Sequence, residues 1–200
     1  DPHLLIYGDA RAGKTTVLRS LLAQLSAASD PAGSGRKLFG IDHRRALPTE
    51  ATSGAHRITF GAAESSAICT ALVAELVGRL RPGDGRPDGF GRIYLLVDDY
   101  DLVGTRPGNP LNGLIPFLPH GRDLRFHLII ARRLGGAARA QYEPLLQTLG
   151  DLGTPVLLLS GSPAEGRLAH GLTPRPLPPG RAMFAVRGAV PQLIQTPWVQ

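Results

Sequence analysis

Apolar residues recur along this chain with two different periods, and the alternation between them outlines a fold. Residues 4–7 (LLIY) form a short apolar run ending at Gly8, which reads as a buried strand. Val17, Leu18, Leu21, Leu22 and Leu25 then fall on one face of a helix, ahead of the turn-forming SDPAGSG at 29–35. LFGID (38–42) reads as a second buried strand, and HRITF (56–60) as a shorter segment, strand or loop. Ile68, Cys69, Leu72, Val73, Leu76, Val77 and Leu80 space as a long amphipathic helix that stops at Pro82. Beyond the loop RPGDGRPDGFG (81–91), IYLLVDDYD predicts a central parallel strand, buried on both faces, with its carboxylates at the C-terminal edge. A helix around 111–118, a fully apolar strand at 126–131 (FHLIIA), a helix over 137–149 and a strand at 155–160 (PVLLLS) follow. The Pro- and Gly-rich end holds one or two strands, at 183–187 and 192–195. No internal repeat is found. Strands alternating with helices predict an α/β domain, a mostly parallel central sheet with helices on both faces.

The first strand runs directly into GDARAGKT (8–15), which matches the phosphate-loop pattern G-x-x-x-x-G-K-[ST] between an apolar strand and a helix, where that pattern works. Gly8 and Gly13 allow the backbone to wrap closely on phosphate oxygens. The amides of Asp9, Ala10, Arg11, Ala12, Gly13, Lys14, Thr15 and Thr16 and the positive helix end then point at the anion. Lys14 is placed for the β- and γ-phosphates and the Thr15 hydroxyl for Mg²⁺, so the expected ligand is ATP with magnesium. A slim ammonium fits where a guanidinium fork would not, and one of only two lysines in a chain of twenty arginines stands here.

LLVDDYD (95–101) supplies the second half of such a site, an apolar strand whose first acid, Asp98, holds Mg²⁺ through water. In many ATPases the next acid is a glutamate that orients the attacking water. Here it is Asp99, one methylene shorter, and a displacement of about 1 Å can cost ~100-fold in rate. Slow hydrolysis is the expectation. Arg132 and Arg133, at the end of the following strand, either face a phosphate or form a salt-bridged surface pair. His3, His120 and His127 lack metal-ligand spacing, and Cys69 reads as core.

Composition narrows the picture further. Two hundred residues, 42% hydrophobic and 19% charged, suit one α/β domain and leave two cramped. A single cysteine forms no internal disulfide, and without a charged-then-apolar leader or a long apolar run the stretch reads as soluble and cytosolic, any membrane attachment lying outside it. The net charge of +6 comes from scattered arginines with no basic run interleaved with aromatics, so no specific nucleic-acid partner is expected.

HLLIYGDARAGKTTVLRSL, IDHRRAL, YLLVDDYDLV, FLPHGRDLRFHLIIARRLGGAARAQYEP, LLLSGSPAEGRL and PLPPGRAMFAVRG occur in this order across nearly the whole chain. In this the chain resembles EccC, the FtsK/SpoIIIE-type ATPase of type VII (ESX) secretion systems, and within it the C-terminal, third ATPase domain. The resemblance implies a RecA-like P-loop NTPase core of the ASCE/FtsK type. Residues 1–200 would be a single ATPase domain cut from a longer, membrane-anchored chain of several such domains, working in the cytoplasm at the inner face of the cell membrane. Implied partners are the other ATPase domains of the same chain, ESX (WXG100-type) secretion substrates, membrane components of the secretion complex, and further copies in an oligomer. Gly8, Gly13, Lys14 and Thr15 take the nucleotide and Mg²⁺, with Asp98 and Asp99 on the metal and water. Asp99 in place of glutamate, and Ala131 with Arg132 in place of a polar sensor pair, depart from the active pattern. They imply a module that binds ATP tightly, hydrolyses it slowly and serves substrate recognition or regulation. The alternatives are a motor completed by neighbouring subunits and an FtsK-like DNA translocase. By analogy with related folds the base lies near the C-terminal strands, with 161–166 and 178–181 as candidates.

Overall fold

The apolar run at the start of the chain becomes β1 (Leu4–Gly8), an interior strand. In the computed structural model, which describes residues 1–28, 35–48, 56–80, 90–104 and 108–197, it is joined by β2 (Arg36–Ile41), β3 (His56–Thr59), β4 (Arg92–Val97) and β5 (Phe126–Arg133). β6 (Val156–Leu158), β7 (Arg181–Ala185) and β8 (Gln192–Gln195) complete an eight-stranded sheet in the order β3-β2-β4-β5-β1-β6-β7-β8. The pairs from β3 to β6 in that order are parallel, and β7 and β8 are added antiparallel. β5 is inserted between β1 and β4, so the glycine loop and the acid pair leave the sheet at the same carboxyl edge with one strand between them. Open parallel sheets hold their ligands at that edge.

Side chains of the central strands alternate between two cores, as the strand period requires. Leu5 and Tyr7 of β1, Ile93, Leu95 and Val97 of β4, Leu128 and Ile130 of β5, and Val156 and Leu158 of β6 belong to the larger. Against them pack α2 (Ala62–Arg79), α3 (Tyr100–Gly104), α4 (Ala137–Ala140), α5 (Pro144–Asp151) and the 3-10 segment Pro110–His120. Ile6, Leu96, Ile129, Ala131 and Leu157 face the other way, onto Val17, Leu18 and Leu22 of α1 (Lys14–Ala27). Burial of each such aliphatic side chain stabilises the fold by roughly 1.5–3 kcal/mol, and both layers converge on β1.

Local chemistry redraws several expected elements. HRITF is an edge strand, β3, paired in parallel with β2. The helix expected around 111–118 is a 3-10 segment, because Pro116 and Pro119 offer no amide to an α-helical ladder, and the Asn109 side chain caps its start by accepting from Leu111 N at 3.0 Å. The single helix expected over 137–149 is two, since Glu143 takes extended backbone (ψ 137°) ahead of Pro144, which opens α5. The strand expected at 155–160 is confined to β6, and that at 183–187 begins earlier, as β7. Residues 29–34 of the expected turn, and Pro82 with most of the loop it opens (81–89), lie outside the described residues. Cys69 is core, burial pushing its thiol up to about 12. No helix among the described residues is long and apolar enough to cross a membrane.

Two histidines pin the amino edge of the sheet in neutral form. His3 accepts from Leu128 N on Nδ1 and donates from Nε2 to Leu118 O, both at 3.0 Å, and burial lowers its pKa. His127 stacks on Tyr94 at 4.4 Å and donates from Nδ1 to Pro2 O at 3.0 Å, and burial lowers its pKa to about 4. Since the unfolded chain takes up the proton near pH 6.5 and the folded one only near pH 4, this contribution to stability is whole above pH 6.5 and is lost as pH falls through that window. Urea midpoints measured from pH 7 to pH 4 are expected to fall, and His127→Phe, which keeps the stack, is expected to make that slope shallower.

Candidate functional site

Gly8 closes β1 where no larger residue fits: a Cβ there would lie 2.9 Å from the Cβ of Leu159 and 3.2 Å from that of Ala12. Gly13 turns the chain into α1 at φ 101°, a left-handed state that glycine adopts without strain. Arg11, at the loop's outer end, holds φ 61°, uncommon for a residue with a side chain. No side chain caps α1 and no acid stands in its first turn, so the positive helix end and its first amides are left for an anion. Lys14 is 6% exposed and folds back over the loop, donating to Gly8 O at 3.1 Å and Asp9 O at 2.9 Å. Burial lowers its pKa, while Asp99, Asp98 and Asp101 act to raise it. Asp9 fastens the loop to the segment after β6, its Oδ2 accepting from Ser162 N at 3.0 Å.

β4 delivers the acids to the same place. Asp98, 2% exposed, accepts from Thr15 Oγ1 at 2.7 Å and from Asp99 N at 2.9 Å. Burial raises the pKa of Asp98 and the Asp99 charge adds to this, against the Thr15 hydrogen bond. A divalent cation beside Asp98 would favour the ionised carboxylate. The donor set fits Mg²⁺: a hydroxyl and a carboxylate are hard oxygen ligands, and Mg²⁺ characteristically takes one or two protein oxygens and completes its shell with phosphate and water. Among the described residues no group of three or more His, Cys, Asp or Glu gathers into a metal cage.

The next residues divide sharply in role. Asp99, at φ 45°, is ion-paired by Arg44 Nε at 2.5 Å and Arg133 Nε at 3.8 Å. Of the two arginines ending β5, Arg132 is buried and ties β5 to α3 through Asp101 at 3.3 Å and to Gly135 O at 3.3 Å. It is part of the scaffold and faces away from the phosphate loop's pocket, whereas Arg133 lines that pocket. Asp101 also accepts from Arg133 N at 3.1 Å, so one carboxylate sets the backbone of β5 where it passes the site.

Two adjoining cavities share Ala10, Arg11, Gly13 and Thr16 as a common wall. The polar one, about 320 Å³, adds Lys14, Thr15, Arg44, Asp99 and Arg133. The other, about 530 Å³, lies toward β7 and β8 and is lined by Ser160, Leu177, Pro178, Pro179, Gly180, Gln195, Thr196 and Pro197. Of the segments expected near the base, 178–180 line this cavity, whereas 161–166 do not and Ser160 alone represents that loop. Arg44 and Leu177 stand within the segments IDHRRAL and PLPPGRAMFAVRG without a site role of their own, and Thr196 stands in neither; each reaches the loop only through the fold.

No protein-family profile matches the chain. Over 209 aligned residues it is 40% identical to the ESX-4 secretion system protein EccC4 of Mycobacterium tuberculosis, an alignment covering 98% of this chain and 16% of that protein. The structure of the cytoplasmic domain of the Thermomonospora curvata type VII secretion ATPase EccC superposes with a TM-score of 0.89 at 34% identity, over 100% of this chain and 24% of the other. That of T. curvata EccC ATPases 2 and 3 in complex with a signal sequence peptide gives the same TM-score of 0.89 and 34% identity, over 100% of this chain and 37% of the other. The chain thus spans 16% of the length of the M. tuberculosis relative, one ATPase domain of it.

The different placing of the two arginines is testable in unfolding. Arg132→Ala, which removes a buried guanidinium and its ties to Asp101 and Gly135 O, is expected to lower stability by about 2 kcal/mol. Arg133→Ala, at a half-exposed side chain, is expected to change it by no more than about 0.5 kcal/mol in the same urea titration.

Proposed function

Because the chain belongs to the EccC family of type VII secretion ATPases, as one ATPase domain of that protein, we propose that it binds ATP with Mg²⁺ tightly, hydrolyses it slowly, and uses nucleotide occupancy to govern contacts with secretion substrate and neighbouring domains. The observation that carries this is the 2.7 Å hydrogen bond from Thr15 to Asp98, which joins the phosphate loop to the acid strand beside an uncapped helix end. In this reading the amides of residues 8–16 and Lys14 hold the phosphates, Thr15 and Asp98 hold Mg²⁺, and the base rests among Leu177, Pro178, Pro179 and Pro197. The metal would offset phosphate charge. The chain's own part is to fix the triphosphate and exclude water from it.

Slow hydrolysis is supported by Asp99, which is one methylene shorter than glutamate and held at positive φ. A carboxylate so short and so turned is poorly placed to orient a water. The proposal further takes the chain as the third, C-terminal ATPase domain, acting in the cytoplasm at the membrane through the full-length protein. The complex of T. curvata ATPases 2 and 3 with a signal sequence peptide supports recognition of an ESX substrate's signal by this domain in turn.

Calorimetry with Mg-ATP tests the core of this reading. Lys14→Ala is expected to weaken binding at least about 10-fold, the loss of a charge-assisted contact. If wild-type protein shows no Mg-dependent binding of triphosphate, the reading is wrong. In single-turnover assays the wild type is expected to be slow and Asp99→Glu faster. Rapid turnover by the wild-type domain alone would remove the slow-hydrolysis part.

A further inference from the structure

Arg44 has no part in the phosphate-loop pattern, yet its Nε lies 2.5 Å from Asp99 Oδ2, the closest ion pair among the described residues. The fold sets it there deliberately. Asp42, buried at the end of β2, caps the turn that follows, accepting on Oδ1 from Arg44 N at 2.9 Å and on Oδ2 from Leu47 N at 2.6 Å. Arg45, at φ 58°, turns away and lays its guanidinium over the Phe60 ring at 5.1 Å. Arg44 is left pointing into the polar cavity, where it meets Lys14, Thr15, Asp99 and, from β5, Arg133. An arginine from the turn after β2 and one from β5, the strands on either side of β4, thereby reach one aspartate beside the lysine of the phosphate loop, Arg133 being shared with Asp101 at 3.9 Å.

We propose that Arg44 and Arg133 read the terminal phosphate of the bound nucleotide, exchanging Asp99 for it, and so make this pocket distinguish a nucleoside triphosphate from the diphosphate. The inference rests on the reading of the site as an ATP pocket. Both side chains are 41–49% exposed, so they move at small cost, while Asp99, only 12% exposed, is fixed. A terminal phosphate carries more charge than one carboxylate and presents several acceptor oxygens to a planar guanidinium fork. The exchange replaces the arginines' ion pairs with Asp99 by pairs with phosphate, and separates Asp99 from its partners only when the third phosphate is present. A diphosphate, ending short of that part of the cavity, leaves the Arg44–Asp99 pair in place.

The test is calorimetry, in Mg²⁺, of a non-hydrolysable ATP analogue and of ADP with wild type, Arg44→Ala, Asp99→Asn and the double variant. The wild type is expected to prefer the triphosphate. Arg44→Ala should weaken the triphosphate about 10-fold or more and ADP less than about 2-fold. Asp99→Asn should strengthen the triphosphate, and that gain should shrink in the Arg44→Ala background, since part of it comes from releasing Arg44. An unchanged triphosphate-to-ADP ratio in Arg44→Ala, with ADP binding retained, overturns the proposal. So does an equal gain from Asp99→Asn in both backgrounds, which is repulsion alone. Binding of neither nucleotide by the wild type, or ADP binding indifferent to Lys14→Ala, overturns the parent reading and this one with it.

Discussion

The hydrogen bond from the Thr15 hydroxyl to the Asp98 carboxylate is where this domain's two halves meet. Thr15 stands in the first turn of α1, on one face of the sheet, and Asp98 at the end of β4, with β5 between β4 and the strand that launches the loop. Bringing a hydroxyl to within 2.7 Å of a buried carboxylate across that distance requires the registers of β1, β5 and β4 all to be correct. A slip of one residue in either pairing would turn every core side chain to the wrong layer. The same packing that stabilises the two cores therefore sets the geometry of the site.

Around that contact the charges are balanced pair by pair. Asp101 is spent on the scaffold, through Arg132 and the backbone of β5. Asp98 is spent on Thr15 and the turn that follows it. Asp99 is held by two half-exposed arginines, and Lys14 by the carbonyls of its own loop. An incoming polyphosphate competes for Lys14 and for the two pocket arginines, Arg133 lying also 3.9 Å from Asp101, while Asp98 stays tied to Thr15. Such a site can change its pairing without changing its fold, as the proposed exchange of Asp99 for phosphate requires.

The asymmetry of the layers serves the same end. One face of the sheet carries α1, whose first turn holds Lys14 and Thr15, and the opposite face carries the more extensive helical packing. The antiparallel pair β7 and β8 extends the sheet past β6 and brings Pro178, Pro179 and Thr196 beside the phosphate loop. A parallel sheet ending at β6 would lack that wall.

The amino-acid sequence by itself determined the order of strands and helices, the parallel core and the phosphate loop, because each rests on local signals: period-2 and period-3.6 apolar spacing, and glycines required by a close approach at Gly8 and a positive φ at Gly13. It also singled out Lys14, Thr15 and Asp98, which the structure gathers at one edge of the sheet. It misjudged the 3-10 segment and the broken helix, where prolines inside apolar periodicity overrode the helical pattern. Only the tertiary structure decided that Arg132 is scaffold while Arg133 faces the pocket, since adjacent strand residues point to opposite sides and the side that is open depends on what packs there. The place of Arg44, and of the C-terminal wall beyond 178–180, was likewise decided by strand order, a long-range property that no local run of residues encodes.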